Sequence, residues 1–284
     1  MILMKKNKMK LKKKILIKGF ADSCKAIRKN PSYIVVPFFI DLLFLFVFFI
    51  VYNFFLGNIM KKVISLLMLT GESLQGLTQA NVALNVLSNQ QQMNSLIINI
   101  GFWIGGLAVL TYAIYCISQG INWFIAHKMF KIKTKPAEYV KRFFTLNFVW
   151  YLIVMIIIYF YVKAVIYTQV LRTPSNLGTV SVFSLMLVAV ICYFAFISYA
   201  LIKKYGFIDS IKKSFSLATK EFSTIACMYI LFILGFVLID IILKLIFIIS
   251  TTLMIIVGII LIFPVIAYMR LVIISVVEDL TKTK

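Results

Sequence analysis

The chain has 284 residues, of which 62% are hydrophobic and only 14% are charged. Its mean hydropathy is +1.01. Soluble domains are about 45 to 50% apolar and about 25% charged, so this composition has too little polar surface for a water-soluble body of this length. The sequence therefore predicts a protein whose solvent is lipid, with residues 1–284 forming a single integral membrane domain.

The chain is strongly basic, with a net charge of +21 from 30 Lys and Arg against 9 Asp and Glu. In a chain that crosses a membrane several times, such an excess indicates one basic membrane face. Nucleic-acid binding is disfavoured, because the positive-inside rule already accounts for the basic residues.

Cysteine and histidine usage excludes several kinds of site. The four cysteines have no Cys-x-x-Cys spacing, so neither a disulfide framework nor a zinc site is expected. His127 is the only histidine, which leaves no material for a His-based metal site or catalytic triad. We expect it in a loop at the membrane interface. No nucleotide-binding, metalloprotease or hydrolase motif is present, so an enzyme is disfavoured and no cofactor or metal is predicted.

Six apolar stretches are long enough to cross a bilayer, whose hydrocarbon core of about 30 Å takes about 20 helical residues. They are 33–56, 96–126, 143–171, 180–202, 222–249 and 251–277. The first is too long for a signal-peptide core and is interpreted as an uncleaved span. The last two form one apolar run, in which Ser250-Thr251-Thr252 is the only polar place for a turn.

The distribution of Lys and Arg predicts the orientation. Of the 30, 25 lie in the N-terminal arm, in 127–142, in 203–221 or at the C-terminal end. On the other side are Lys61, Lys62, Lys163 and Arg172. The positive-inside rule then places both termini in the cytoplasm of a protein of the cell membrane.

A short sequence occurs twice. Gly19–Lys25 reads GFADSCK and Gly206–Lys212 reads GFIDSIK, with five of seven residues identical. A weaker copy, 136–141, keeps only an acid three residues before a lysine. Each copy precedes two spans, so we predict an all-α bundle of three parallel hairpin units, 1–126, 127–202 and 203–284.

Each unit is predicted to begin with a basic amphipathic helix in the membrane interface. The expected apolar stripes are Leu16, Phe20, Cys24 and Ile27 in the first unit, and Phe207, Ile211, Phe215, Ala218 and Phe222 in the third. The lysines expected to attract anionic lipid headgroups are Lys18, Lys25, Lys29, Lys213 and Lys220. The alternative is that these helices only orient the hairpins.

The third unit resembles a known type of membrane protein. Segment 206–222 and the following span resemble a motif of small six-helix prokaryotic membrane proteins of unknown function. The residues that carry the resemblance are Gly206, Asp209, Lys212, Lys213, Ser214 and Phe215. Those proteins are similar to the membrane domain found beside some glycerophosphodiester phosphodiesterases. The resemblance implies a six-helix topology but no catalytic role, because the chain has no room for the soluble hydrolase domain.

Charged residues within the spans are the first candidates for a functional site, since each costs about 2.5 to 3.5 kcal/mol at the centre of a membrane helix. Asp41 lies in the first span with no partner nearby in sequence, and Arg270 lies in the last. We predict that these two pair across the bundle; the alternative is a protonated Asp41, with Arg270 reaching the headgroups. Asp240 and Lys244, four residues apart, are expected to pair on one helix face.

The second span carries polar residues at helical spacing, which indicates a face turned away from lipid. This stripe is Thr111, Tyr115, Ser118, Gln119 and Asn122. Gly101, Gly105 and Gly106 on the same helix are predicted to let another helix approach closely. The stripe is interpreted either as helix packing or as the wall of a substrate cavity.

Two prolines and one polar segment complete the candidates. Pro37 and Pro264 remove helical hydrogen bonds in the first and last spans, so a kink is expected at each. Segment 57–95, rich in Gln and Asn, is predicted to form short amphipathic helices on the outer surface.

Two functions fit the sequence. One is a small transporter or lipid-interacting permease, which the repeats, prolines and buried charges favour. The other is a non-catalytic scaffold or accessory subunit, with a membrane-protein partner or a second copy of the chain. A polar cavity lined by Asp41, Tyr115, Gln119 or Asn122 would favour the transporter.

Overall fold

The computed structural model describes residues 2–74, 90–129, 135–170 and 175–282. Over these ranges the chain is entirely helical apart from short connections, and it contains no strand. The eight helices are α1 (Ile2–Lys29), α2 (Ser32–Leu74), α3 (Gln90–Lys128), α4 (Pro136–Val170), α5 (Ser175–Leu201), α6 (Phe207–Lys220), α7 (Phe222–Phe247) and α8 (Thr251–Lys282).

The prediction of six membrane spans is confirmed. Six of these helices, α2 to α5 together with α7 and α8, are long and apolar enough to cross a bilayer. The predicted turn between the last two spans is also confirmed, because α7 ends at Phe247 and α8 begins at Thr251. The coarse fold class, an all-helical multi-pass membrane protein, therefore follows from composition and hydropathy alone.

Several predicted helix bounds are wrong, because helical hydrogen bonding continues past the end of an apolar run. α2 extends to Leu74, so residues 57–74 continue a span and do not form separate short helices. Residues 75–89 of the predicted outer segment lie outside the described residues. α4 runs unbroken from Pro136 to Val170, so the predicted interfacial segment 136–141 is the start of the span's own helix and not a separate one. Proline is favourable in the first helical turn, and no glycine follows to interrupt α4.

The chain forms two compact units. The first comprises Met1–Leu42 with Cys116–Lys284, and the second comprises Leu43–Tyr115. This division does not coincide with the three predicted repeat units, whose arrangement stays a prediction.

The core of the first unit surrounds the second half of α8. Residues 271–274, 276 and 277 of this helix are all at most 2% exposed. This part of α8 is apolar on every side because α1, α5 and α7 all pack against the helix. α4 and α5 pack together, and α6 lies against both.

α1 packs against α8 both through small residues and through part of its predicted stripe, since the ring of Phe20 lies 6.1 Å from that of Tyr268. Gly19 and Ser23 are buried on this face, whereas Cys24 is exposed. A β-carbon at Gly19 would lie 2.5 Å from the Cγ2 atom of Val276, so glycine allows the two helices to approach closely. The apolar residue Ile15, also buried, completes this face.

α6 follows its predicted stripe in part. Its buried residues are Ser210, Ser214, Leu217 and Ala218. Of the predicted stripe, Ala218 is buried, and Phe207 and Ile211 pack partly buried against the core. Phe215 and Phe222 are 44% and 63% exposed. In both α1 and α6 the contact face therefore combines small residues with part of the predicted stripe.

The second unit is held by aromatic contacts between α2 and α3. The ring of Phe55 lies 5.5 Å from that of Trp103, and the ring of Phe44 lies 6.2 Å from that of Tyr115. A β-carbon at Gly106 would lie 2.8 Å from the Phe55 ring, so this predicted contact glycine does face another helix. The prediction is wrong for Gly101 and Gly105, which have no atom within 4 Å of the β-carbon position.

Candidate functional site

The predicted pairing of Asp41 with Arg270 is present in the structure. The Nη1 and Nη2 atoms of Arg270 each lie 3.1 Å from the Oδ2 atom of Asp41. Asp41 is 4% exposed and Arg270 5%, so the arginine does not extend to the membrane surface. The pair therefore joins the first span to the last inside the protein.

Two amide side chains from α3 complete the site. Gln119 donates to Asp41 Oδ1 at 3.0 Å, and Asn122 donates to the same oxygen at 2.7 Å. Gln119 also accepts a hydrogen bond from Arg270 Nη2 at 2.7 Å. The four side chains form a network, called here the Asp41 network, that joins α2, α3 and α8.

Helix register explains why these residues meet. Asp41 lies nine residues after the start of α2, and Gln119 lies nine residues before the end of α3. At 1.5 Å per residue both are about 14 Å from those helix ends. Pro37, one turn before Asp41, is also buried. An acid and an amide at matching depth on antiparallel neighbours can thus bond directly.

The Asp41 carboxylate is fully paired, because it accepts from one guanidinium and two amides. Such charge-assisted bonds are stronger than neutral ones, and a bidentate guanidinium adds geometric specificity. The Oδ1 atom of Asn122 is the one buried polar atom of the network with no partner among the described residues. The network can hold three helices in a single arrangement or exchange partners if one of them moves.

A second polar cluster joins α3 to α4 and α5, and sequence reasoning missed it. Asn147 donates to the Sγ atom of Cys116 at 3.0 Å and accepts a hydrogen bond from the hydroxyl of Tyr199. Trp150, one turn along α4, donates to Ser198 at 3.0 Å. The available signal was Asn147 itself, an amide inside an otherwise apolar span.

The prediction for His127 is wrong. This residue is not in a loop but in the last turn of α3, and it is 0% exposed. Its Nε2 atom lies 3.1 Å from the carbonyl oxygen of Tyr199, and its ring lies 5.6 Å from that of Tyr139. His127 is therefore part of the buried core that joins α3, α4 and α5.

The five residues of the predicted polar stripe of α3 lie in different parts of the structure. Gln119 and Asn122 belong to the Asp41 network, and Ser118 is buried beside them in sequence. Tyr115 belongs to the second unit, where its ring meets that of Phe44. Thr111 is half-buried in the same unit. The structure thus brings only two of the five stripe residues to Asp41.

The predicted pair of Asp240 and Lys244 is present on the surface of α7. The Lys244 Nζ atom lies 2.7 Å from the Asp240 carboxylate, and the side chains of Lys244 and Asp240 are 76% and 59% exposed. Because the two charges neutralise each other one helical turn apart, the structure favours the interpretation as a local pair.

The lysines predicted to meet lipid headgroups are placed as follows. Lys18 forms an ion pair of 2.8 Å with Asp279 of α8. Lys213 lies over the ring of Tyr205, 3.4 Å from its centroid. Lys25, Lys29 and Lys220 are exposed. Their interaction with lipid stays a prediction.

No group of three His, Cys, Asp or Glu side chains that could hold a metal ion occurs within the described ranges. No protein-family model matches the chain, and no curated protein or solved structure is significantly similar to it. The resemblance of segment 206–222 to the six-helix family stays a prediction. The function must therefore be argued from the physical properties of the site.

Proposed function

We propose that this chain is a small permease-like membrane protein that interacts with lipids, and that the Asp41 network is the closed position of a gate. The observation that carries the proposal is the ion pair of Asp41 and Arg270 inside a helix bundle that spans the membrane. Packing does not require such a pair, since well-packed apolar residues in its place are often equally stable or more stable. Ionisable residues within spans usually serve transport or relay functions.

The chemistry of the network suits a gate. Arg270 Nη2 bonds to Asp41 and to Gln119, and the amide of Gln119 can both donate and accept. A shift of α8 can therefore replace one hydrogen bond by another without leaving the guanidinium unpaired. Pro37 and Pro264 interrupt the hydrogen-bond ladders of α2 and α8, which provides a point of bending in each of the two helices that the ion pair joins.

The alternative is a non-catalytic scaffold or accessory subunit. The complete pairing of the Asp41 carboxylate favours it, because a carboxylate with three side-chain donors has no need of a ligand. In a scaffold the network would fix the helices permanently.

The access of water to position 119 distinguishes a permease with a gate from a scaffold. Gln119→Cys is introduced after Cys24 and Cys227, the two exposed cysteines, are replaced by serine. A membrane-impermeant thiol reagent is then applied from each side of proteoliposomes. A gate predicts reaction of the introduced thiol that increases at least tenfold when Arg270→Gln removes the ion pair. Translocation of a fluorescent phospholipid is measured in the same vesicles.

The matched control is Asp240→Asn with Lys244→Gln, which removes an exposed ion pair of α7. A gate predicts that this control leaves thiol reactivity and translocation unchanged. If the thiol introduced by Gln119→Cys stays unreactive with and without Arg270, and the vesicles translocate no lipid, the permease proposal is wrong and the scaffold is favoured.

A further inference from the structure

A cavity of about 250 Å³ lies where the ends of α3, α5 and α8 meet. Its polar lining includes three lysines and one glutamate, Lys203, Lys204, Lys282 and Glu278. We propose that this headgroup pocket binds the phosphate of an anionic phospholipid, with its lysines as the phosphate ligands. None of these residues belongs to the Asp41 network or to the lysines that the sequence assigned to headgroups.

Charge favours an anion in this pocket. Three lysines and one glutamate line the cavity, and the carboxylate of Glu278 lies 3.5 Å from the ammonium of Lys282. Burial lowers the pKa of Lys203, the neighbouring Lys282 lowers it further, and Glu278 acts in the opposite direction. A phosphate would add negative charge beside lysines that outnumber the carboxylates of this lining by three to one.

The apolar part of the lining favours a lipid over a free phosphate. Ala200, Leu201, Ile274 and Val277 line the same cavity as the lysines. A free phosphate gains nothing from an apolar wall, whereas the glycerol and first methylene groups of a phospholipid remain in contact with one. Basic pockets between spans are a known mode of headgroup recognition.

Helix electrostatics supply a simpler explanation for lysines at this place. The last carbonyl groups of α3, α5 and α8 carry partial negative charge, which lysine side chains offset. That explanation accounts for the charges but requires neither a concave surface nor an apolar wall. It also predicts that removing the lysines changes stability and leaves lipid affinity unaltered, so the two explanations differ in a measurable way.

The test compares two double variants with the same change in charge. Lys203→Gln with Lys204→Gln removes two ammonium groups from the pocket. Lys25→Gln with Lys29→Gln removes two from α1, whose lysines were the sequence-based candidates. Purified protein in detergent is titrated with phosphatidylglycerol or with phosphatidylcholine, and bound lipid is counted by native mass spectrometry.

The pocket predicts that the wild type binds phosphatidylglycerol at least tenfold more tightly than phosphatidylcholine. Each lysine near the membrane surface contributes about 1 kcal/mol to the binding of an anionic lipid. The preference for phosphatidylglycerol over phosphatidylcholine should therefore be about 10- to 30-fold smaller in the pocket variant. The α1 variant should stay within about threefold of the wild type. Equal losses in both variants, or none in either, would overturn the proposal.

Two further experiments identify the ligand and show whether a loss of binding comes from the pocket itself and not from misfolding. Inorganic phosphate at millimolar concentration should not displace the lipid; if it does, the ligand is a soluble phosphate and the lipid assignment is wrong. Thr281→Phe places a ring at the partly buried edge of the cavity with no change of charge, and it should also lower phosphatidylglycerol affinity at least tenfold. If Thr281→Phe binds phosphatidylglycerol normally, the headgroup pocket is not the site.

This inference relies on the proposed function only for its class of ligand. Lipid affinity is measured without any transport step, and the thiol reactivity of the Gln119→Cys variant is measured without any lipid titration. The pocket can therefore fail while the gate succeeds, and the reverse result is equally distinguishable.

Discussion

The guanidinium of Arg270 lies 3.1 Å from the carboxylate of Asp41, although the two residues are 229 positions apart. The ion pair joins a helix near the start of the chain to the last helix of the fold. It is also the contact through which Gln119 and Asn122 of α3 become part of the same network. The contribution of this ion pair to the free energy of unfolding can be measured separately from its function.

Removal of both charges should destabilise the protein by less than the sum of the two single removals. Asp41→Ala and Arg270→Ala should each lower the free energy of unfolding by about 3–5 kcal/mol, because each leaves a buried charge unpaired. The double variant should cost less than the sum by about 0.5–3 kcal/mol. Unfolding in mixed micelles, followed by circular dichroism, gives the three values.

The exposed pair on α7 is the control for this cycle. Asp240→Asn with Lys244→Gln should cost less than Asp41→Ala or Arg270→Ala, because it removes both charges of a pair and leaves neither unpaired. Additive losses at Asp41 and Arg270 would show that the two side chains do not interact in the folded protein.

The two glycines of the repeated sequence should respond oppositely to the same substitution. Gly19→Ser should destabilise the protein by about 1–3 kcal/mol, because the new β-carbon meets the stiff, buried side chain of Val276. Gly206 precedes the first residue of α6 and has nothing within 4 Å of its β-carbon position. Serine is favoured at such helix starts, so Gly206→Ser should be neutral or slightly stabilising.

Thermal unfolding of the two serine variants and the wild type, under identical detergent conditions, makes the comparison. Equal destabilisation at both positions would contradict the distinction between a packing glycine and a helix-start glycine.

The loss of stability at the cluster around Asn147 should depend on which hydrogen-bond partner is removed. Tyr199→Phe leaves the buried Oδ1 atom of Asn147 without this donor and should cost about 1–3 kcal/mol. Asn147→Leu leaves the buried hydroxyl of Tyr199 without this acceptor and also removes the hydrogen bond to Cys116, so it should cost more. Denaturant titration of both variants tests this order.

A tyrosine with a hydrogen bond at the protein surface serves as the reference for that order. Tyr161 contacts Ser181 on the protein surface at 3.3 Å, and Tyr161→Phe should change stability by less than about 0.5 kcal/mol. A loss as large as that of Tyr199→Phe would mean that the hydroxyl of Tyr199 contributes nothing beyond a surface contact.

The ion pair of Lys18 with Asp279 should make the stability of the protein depend on pH in the alkaline range. The hydrogen bond to Asp279 is the largest cause that raises the pKa of Lys18 above its usual value near 10.5, and the charge of Asp279 comes next. Because the pKa is higher in the folded state, the stabilisation is complete below the usual pKa and is lost as the pH rises through the folded-state value. Asp279→Asn should therefore cost less than about 1 kcal/mol at pH 8, since the pair is exposed.

The stability difference between wild type and Asp279→Asn should decrease above about pH 10.5. Chemical unfolding at pH 8, 10 and 11 measures it, with Lys25→Gln as a control for general charge effects. A difference that stays constant across this range would exclude the Lys18 ion pair as its source.

Hydropathy and helical periodicity predict the six spans, and the cost of isolated charges predicts the meeting of Asp41 with Arg270. The buried faces of α1 and α6 could not be predicted in the same way, because periodicity detects large apolar residues. There Gly19, Ser23 and Ser210 are buried as well, since small residues allow helices to approach closely. The loop prediction for His127 fails because this residue follows the last apolar residue of its span, where polarity alone does not show that a helix continues.

Labelling of Cys24 tests the predicted orientation of the chain. Cys24 is exposed on α1, among the lysines that the positive-inside rule assigns to the cytoplasm. A membrane-impermeant maleimide should modify it in inside-out vesicles and leave it unmodified in intact cells.

Cys227 is also exposed, but it lies within the α7 span, where lipid surrounds the thiol and disfavours the reactive thiolate. Peptide mass mapping should therefore find Cys227 unmodified in both preparations. Modification of Cys24 in intact cells would reverse the orientation, and it would place the headgroup pocket at the outer leaflet.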